Sequence, residues 1–299
     1  DSVIVINSNF NFSNSSSGFD NTNTYINNCN LNESSLNAYG LNVIISNTDI
    51  DNGLYVNADN QITIHNCNID NNLSLSTVNN TFQSGININE LIVNVSDLYI
   101  DSESYLLITN SEFKFQNSNN SYNNISANEI DFYGNVFNDL SISFNEPFES
   151  QSNNLIIDSC YFYDSEISIS DFEDITIYNS LLENLSNDGY NLSCTNFNNL
   201  LFYNSTFNFP NISENFQSFS LYNSNSSTIY IENSTIESPY IFQFSGDQNW
   251  DFTLYNSTLN GQAKFLTQEN FTLNSYNSII KEIKDFYYDF PGSEDYLSD

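Results

Sequence analysis

The sequence predicts an all-β chain: a parallel β-helix, or solenoid, of about 13 coils of about 22 residues each. Three observations predict it. One short phrase recurs along the chain, apolar residues alternate strictly within each copy, and too little chain separates the copies to hold a helix.

The phrase reads apolar, any, apolar, any, Asn, Ser/Thr/Cys, any, apolar. It appears as VIVINSNF (3–10), VIISNTDI (43–50), ITIHNCNI (62–69), LLITNSEF (106–113), ITIYNSLL (175–182), LLFYNSTF (200–207), IYIENSTI (229–236) and FTLYNSTL (252–259). The anchor asparagine falls at Asn7, Asn28, Asn47, Asn66, Asn110, Asn179, Asn204, Asn233, Asn256 and Asn277. Gly134 and Ser159 hold the slot in two degenerate copies, and a weak copy lies near Asn89. Period-two alternation marks a strand with one buried face. A βαβ unit needs ~30 residues or more, so each interval fits one coil of two or three short strands joined by turns. Coils stacked at the ~4.8 Å strand spacing make a rod roughly 60 Å long. Asn tolerates the left-handed backbone of a sharp turn, and a column of Asn passes amide hydrogen bonds from coil to coil. The ten anchors are therefore expected to form a structural ladder. The extra phrase FSLYNSN (219–225) reads as a further strand or loop of its coil. The β-helix is expected over residues 1–280, with 281–299 as an acidic, aromatic tail or cap.

The Ile-x-Ile-x-Asn-Ser-x-Phe phrase, set in an Asn/Ser-rich chain without Arg, resembles the adhesin-like surface proteins of methanogenic archaea. More distantly, it is similar to bacterial adhesins of the pectate-lyase fold. The resemblance covers residues 3–280 and implies a right-handed β-helix displayed at a cell surface, with no catalytic motif to carry over.

Composition narrows the function classes. The chain has 299 residues, a net charge of -33, 4 lysines as its whole Lys+Arg count, and 57 Asn and 45 Ser. Phosphate affinity rests on Lys and Arg, so a nucleic-acid partner is excluded. No apolar run reaches the ~18 residues of a membrane-spanning helix. The 25 Phe and 20 Tyr are too many for a chain that buries no core. The missing Met suggests removal of a signal peptide and an extracellular home, or excision from a larger exported protein.

The outward position before the anchor is tyrosine at Tyr133, Tyr178, Tyr203, Tyr255 and Tyr276, with Tyr222 in the partial copy. Stacking would line these rings into an exposed stripe. Such a stripe serves either cross-strand packing or contact with glycans or other copies of the chain. His65 takes the same outward slot and reads as a surface histidine. Cys29, Cys67 and Cys160 take the Ser/Thr slot as small buried thiols rather than disulfides, since coils two apart are ~9.6 Å apart. Among Asn-x-Ser/Thr sequons, the ladder residues Asn204, Asn233 and Asn256 are expected bare, whereas Asn119, Asn124, Asn191 and Asn211 are candidate glycosylation sites. Asp49 and Asp51 faintly resemble the first motif of polygalacturonases, but that family's remaining elements have no match. No metal, no cofactor and no catalytic residue is expected. The expectation is a structural subunit assembling head-to-tail into a surface filament. Its alternatives are a monomeric glycan-binding adhesin and, less favoured, a polysaccharide-degrading enzyme.

Overall fold

A computed structural model describes residues 2–11, 16–78, 84–115, 123–139, 141–145, 153–185, 191–212, 218–223, 226–245, 249–263 and 271–283. No helix occurs among them, and every strand pairing is parallel. Each turn contributes three strands to three stacked series. One turn, for example, places Asp174–Tyr178, Leu181–Glu183 and Leu192–Thr195 in succession before Asn199–Tyr203 begins the next. These four pair with the strands of the turns above and below in unbroken register.

The fold is thus an all-β parallel β-solenoid, and its first sheet stacks thirteen strands, one for each copy of the phrase, from Ser2–Ile6 to Phe271–Tyr276. Buried side chains fill the rod from Ile26 to Leu259. The copies around Asn7, Asn256 and Asn277 supply paired strands at the two rims.

Apolar alternation puts one face of every strand into a single core, and its character changes along the axis. Ile45, Ile64, Ile88 and Ile108 fill one column of the earlier turns, where Phe132 and Phe202 stand in later ones. On the second sheet Phe113, Phe137 and Phe162 stack face to face, with centroids 5.0 and 4.6 Å apart. Each such ring, fully buried, stabilises the fold by about 1.5–3 kcal/mol.

Sharp corners come from residues in the left-handed region. All ten anchor asparagines adopt it, from φ 46 at Asn179 to φ 55 at Asn7. Gly134 and Ser159 do the same at φ 64 and 55. In the weak copy the turn residue is Glu90 at φ 54, one residue later than Asn89. Asn89 instead fills the outward slot, 3.0 Å from His65 Nδ1 and 2.8 Å from Thr109 Oγ1. The other corners use acids as well, among them Glu33, Asp139, Asp164 and Asp171.

The left-handed corner turns the next N–H inward, where no strand can accept it. A buried column of hydroxyls in the following slot resolves this. Ser180 N–H donates to Ser205 Oγ (3.2 Å), Ser205 N–H to Ser234 Oγ (3.1 Å), Ser234 N–H to Ser257 Oγ (3.2 Å) and Ser257 N–H to Ser278 Oγ (3.0 Å). Each hydroxyl in turn donates to a backbone carbonyl two residues back, as Ser205 does to Tyr203 O at 2.9 Å. This is the physical reason for the Ser/Thr/Cys slot of the phrase.

Candidate functional site

The left-handed anchors project their amides along the outside edge of the first sheet. Asn28 Nδ2 donates to Asn7 Oδ1 (2.6 Å), Asn66 to Asn47 (2.8 Å), Asn204 to Asn179 (3.4 Å) and Asn277 to Asn256 (2.6 Å). Elsewhere the amide turns to the outward neighbour. Asn47 donates to Asn27 (2.8 Å), Asn110 to Asn89 (3.3 Å), Asn179 to Asp158 (2.9 Å) and Asn233 to Glu232 (3.5 Å). The ladder is therefore a set of hydrogen-bonded segments, not one continuous rail.

Beside it runs the outward column of the first sheet. Its register is Thr109, Tyr133, Asp158, Tyr178, Tyr203, Glu232, Tyr255, Tyr276. Tyr178 and Tyr203 stack at 5.2 Å and 15° between planes, and Tyr255 lies 6.4 Å from Tyr276. Tyr133, with no tyrosine above or below, is 39% exposed; Tyr276, at the rim, is 54% exposed. Tyr222 does not belong to this column. Its strand, Phe219–Tyr222, pairs with Leu192–Thr195 and Phe242–Ser245 of the third sheet, so its ring faces another side of the rod. The partial phrase looked like an anchor copy because any solenoid strand alternates in the same way.

The column holds residues that a search for tyrosine alone passes over. Asp158 and Glu232 interrupt the rings at rung spacing. Glu232 displaces the next ring, and Tyr230, two residues earlier, packs 5.7 Å from Tyr203 instead. Tyr230 Oη donates to Glu232 at 3.2 Å, and Tyr105 Oη donates to Asp131 at 2.8 Å. The same slot read through every copy, tyrosine or not, exposes Asp158 and Glu232 in the sequence.

The electrostatics of this face are anionic. The Tyr203 phenol is raised above its ordinary pKa by partial burial, then by Tyr178 and Glu232. Tyr133 is raised by partial burial, then by Asp131 and Asp158. Tyr105 is raised by burial and by the Asp131 carboxylate that accepts its hydrogen bond. All four cysteines are buried free thiols, and burial pushes Cys67 up to about 11 and Cys160 up to about 12.

The remaining sequence candidates are dispersed. His65 is exposed, with Glu90 Oε2 3.9 Å from its Nδ1. Asp49 accepts from Asn68 Nδ2 (2.6 Å) and Asp51 from the Glu33 N–H (3.2 Å), so both carboxylates are engaged between turns. Asn191 cannot serve as a glycan acceptor in the folded chain, because it is only 2% exposed and its amide nitrogen is enclosed. Asn124 lies in the strand Asn123–Tyr133 and accepts from Asn145 at 2.6 Å, not in a loop. Asn211 is exposed in a turn, with its Nδ2 donating to Leu185 O at 2.9 Å. Asn119 lies outside the described residues. Among the described residues no group of three or more His, Cys, Asp or Glu is placed to hold a metal ion. No helix there is long and apolar enough to cross a membrane.

Comparison with known proteins adds no family. No protein-family model, no curated protein and no solved structure matches the chain.

Proposed function

We propose that the protein is a non-enzymatic extracellular structural protein, a β-helical subunit that stacks head-to-tail into a cell-surface filament or sheath. The observation that carries this reading is the match between the two rims of the described solenoid. At one rim Ser2–Ile6 is paired with residues 23–27, on one side among the described residues. At the other, Phe271–Tyr276 is paired with Trp250–Tyr255, again on one side among the described residues. Both belong to the same sheet, and both end in a left-handed asparagine, Asn7 at φ 55 and Asn277 at φ 49.

The direction of the ladder makes the rims complementary. Where anchor amides bond one another they donate downward, as from Asn28 to Asn7 and from Asn277 to Asn256. A copy seated on the Asn277 rim would bring its Asn7 amide to the Asn277 carbonyl in the same geometry. Val5 at one rim, and Leu273 and Ile280 at the other, are core residues only partly covered; stacking would bury them. Such a heterologous contact does not close on itself and so propagates. Unpaired strand edges favour it, while the charge of -33 opposes it.

Electron microscopy of the native protein tests this. Fibres are expected, lengthening as salt screens the charge. Removal of residues 1–11 should abolish them while leaving the β-sheet circular dichroism. Fibres of undiminished length after that deletion would count decisively against end-to-end stacking.

A further inference from the structure

We propose that the outward face of the first sheet, from Tyr105 to Tyr276, docks a cationic polypeptide segment of another protein. Its Arg and Lys side chains would lie over tyrosine rings and pair with the carboxylates set between them. This surface lies along the flank of the rod, so the inference is independent of stacking at the rims.

Two features of the face argue for such an occupant. First, ring and carboxylate alternate along one column, Tyr133, Asp158, Tyr178, Tyr203, Glu232, Tyr255. A guanidinium needs this pair of partners, a ring face for cation–π contact and an oxygen pair for its N–H fork. Second, the carboxylates are held in place. Asp131 accepts from Tyr105 Oη at 2.8 Å, Asp158 from Asn179 Nδ2 at 2.9 Å and Glu232 from Tyr230 Oη at 3.2 Å. Asp158 also accepts from Ser159 Oγ at 3.0 Å and Glu232 from Asn233 Nδ2 at 3.5 Å, and none of the three has a cationic partner among the described residues.

Among the described residues the chain supplies no countercharge to this face. The ion pairs among the described residues are His65–Glu90 and Lys114–Glu112. Lys114 lies on the second sheet, in Glu112–Phe115, and His65 sits three rungs before Tyr133 in the column. With no Arg in the sequence, a net charge of -33 and no lysine of the described residues paired to this face, a cationic segment from another molecule is the complementary occupant. The long-range field steers such a segment toward it. A neutral sugar chain would use the rings and donate hydroxyls to Asp158 and Glu232 but leave their charge uncompensated.

The probe is a fluorescent decapeptide of alternating Arg and Ser, titrated into the full chain at physiological ionic strength and read by anisotropy. Tyr178→Ser with Tyr203→Ser leaves the charge unchanged and should weaken binding at least tenfold. Asp158→Asn with Glu232→Gln should do the same. Asp49→Asn with Asp70→Asn removes equal charge from the second sheet and should change binding less than twofold. If loss of the stacked pair impairs folding, Tyr133→Ser with Tyr255→Ser gives the same test on separate rings, and Tyr→Phe at these sites should retain affinity. Equal weakening by the second-sheet variant would reduce the attraction to diffuse charge and overturn the proposal. So would unaltered binding by the tyrosine variants, or tyrosine-dependent binding of cellohexaose without binding of the peptide.

Discussion

Replacing Ser205 with alanine removes one hydroxyl from the buried column and almost nothing else. Ser205 is 1% exposed, and its Oγ accepts the Ser180 N–H at 3.2 Å. That Oγ also donates to Tyr203 O at 2.9 Å, with Ile177 O at 3.3 Å; the Tyr203 carbonyl receives the Asn179 N–H at 3.0 Å and keeps a partner. Alanine leaves no cavity of consequence. The loss is therefore confined to one buried N–H without an acceptor, worth about 1–3 kcal/mol. Ser205→Cys should fall between alanine and wild type, because thiol is a weaker acceptor and already occupies this slot at Cys29, Cys67 and Cys160. Guanidinium denaturation gives the global change. Native-state hydrogen exchange at the Ser180 amide gives the local one, which matters because neighbouring turns of a solenoid can open separately. A global change below about 0.5 kcal/mol together with unaltered Ser180 exchange would refute the account of the column as an acceptor for inward N–H groups.

Three further outcomes are expected. Gly134 takes the anchor slot at φ 64, so Gly134→Asn should be neutral or stabilise by up to about 1 kcal/mol in thermal melts, through reduced unfolded-state freedom and a bond to Asn110; Gly134→Val should destabilise. A Cβ on Gly261 would sit 1.5 Å from Ser238 O, so Gly261→Ala should force apart the bulged strands there and lower the melting temperature measurably. Burial holds Cys67 and Cys160 protonated, pushed up to about 11 and about 12, while an unfolded thiol titrates near 9.0. Their contribution is intact below that value and is lost as pH rises toward the folded values, at about 1.4 kcal/mol per pH unit for each thiol. Cys67→Ser with Cys160→Ser should flatten the decline of urea midpoints between pH 9 and 10, and identical declines would contradict the burial argument.

The sequence carried the repeat because every turn meets the same local demands. Each strand needs alternate apolar residues, each corner a residue that tolerates positive φ, and each inward N–H a small acceptor. These three demands write Ile-x-Ile-x-Asn-Ser into the chain, and they place Asn47, Asn204 and Asn256 at left-handed corners. Tyr222 was misplaced on the same evidence, since an alternating tetrapeptide followed by Asn is written alike on the first and third sheets. Asn191 resembled a loop acceptor for the same reason. Its sequon is local, while its burial under the adjoining turns is not.

By itself, then, the sequence determined the fold class, the parallel stacking and the chemistry of each slot, because these depend on residues within one repeat. Tertiary structure alone decided what lies above and below each slot. It set Asp158 and Glu232 among the tyrosines and paired Tyr203 with Tyr230 across a turn. The physical reason is the uneven spacing of the turns. Loops of different length separate the copies, so the partner of a residue is fixed by the stacking of strands and not by a constant interval along the chain.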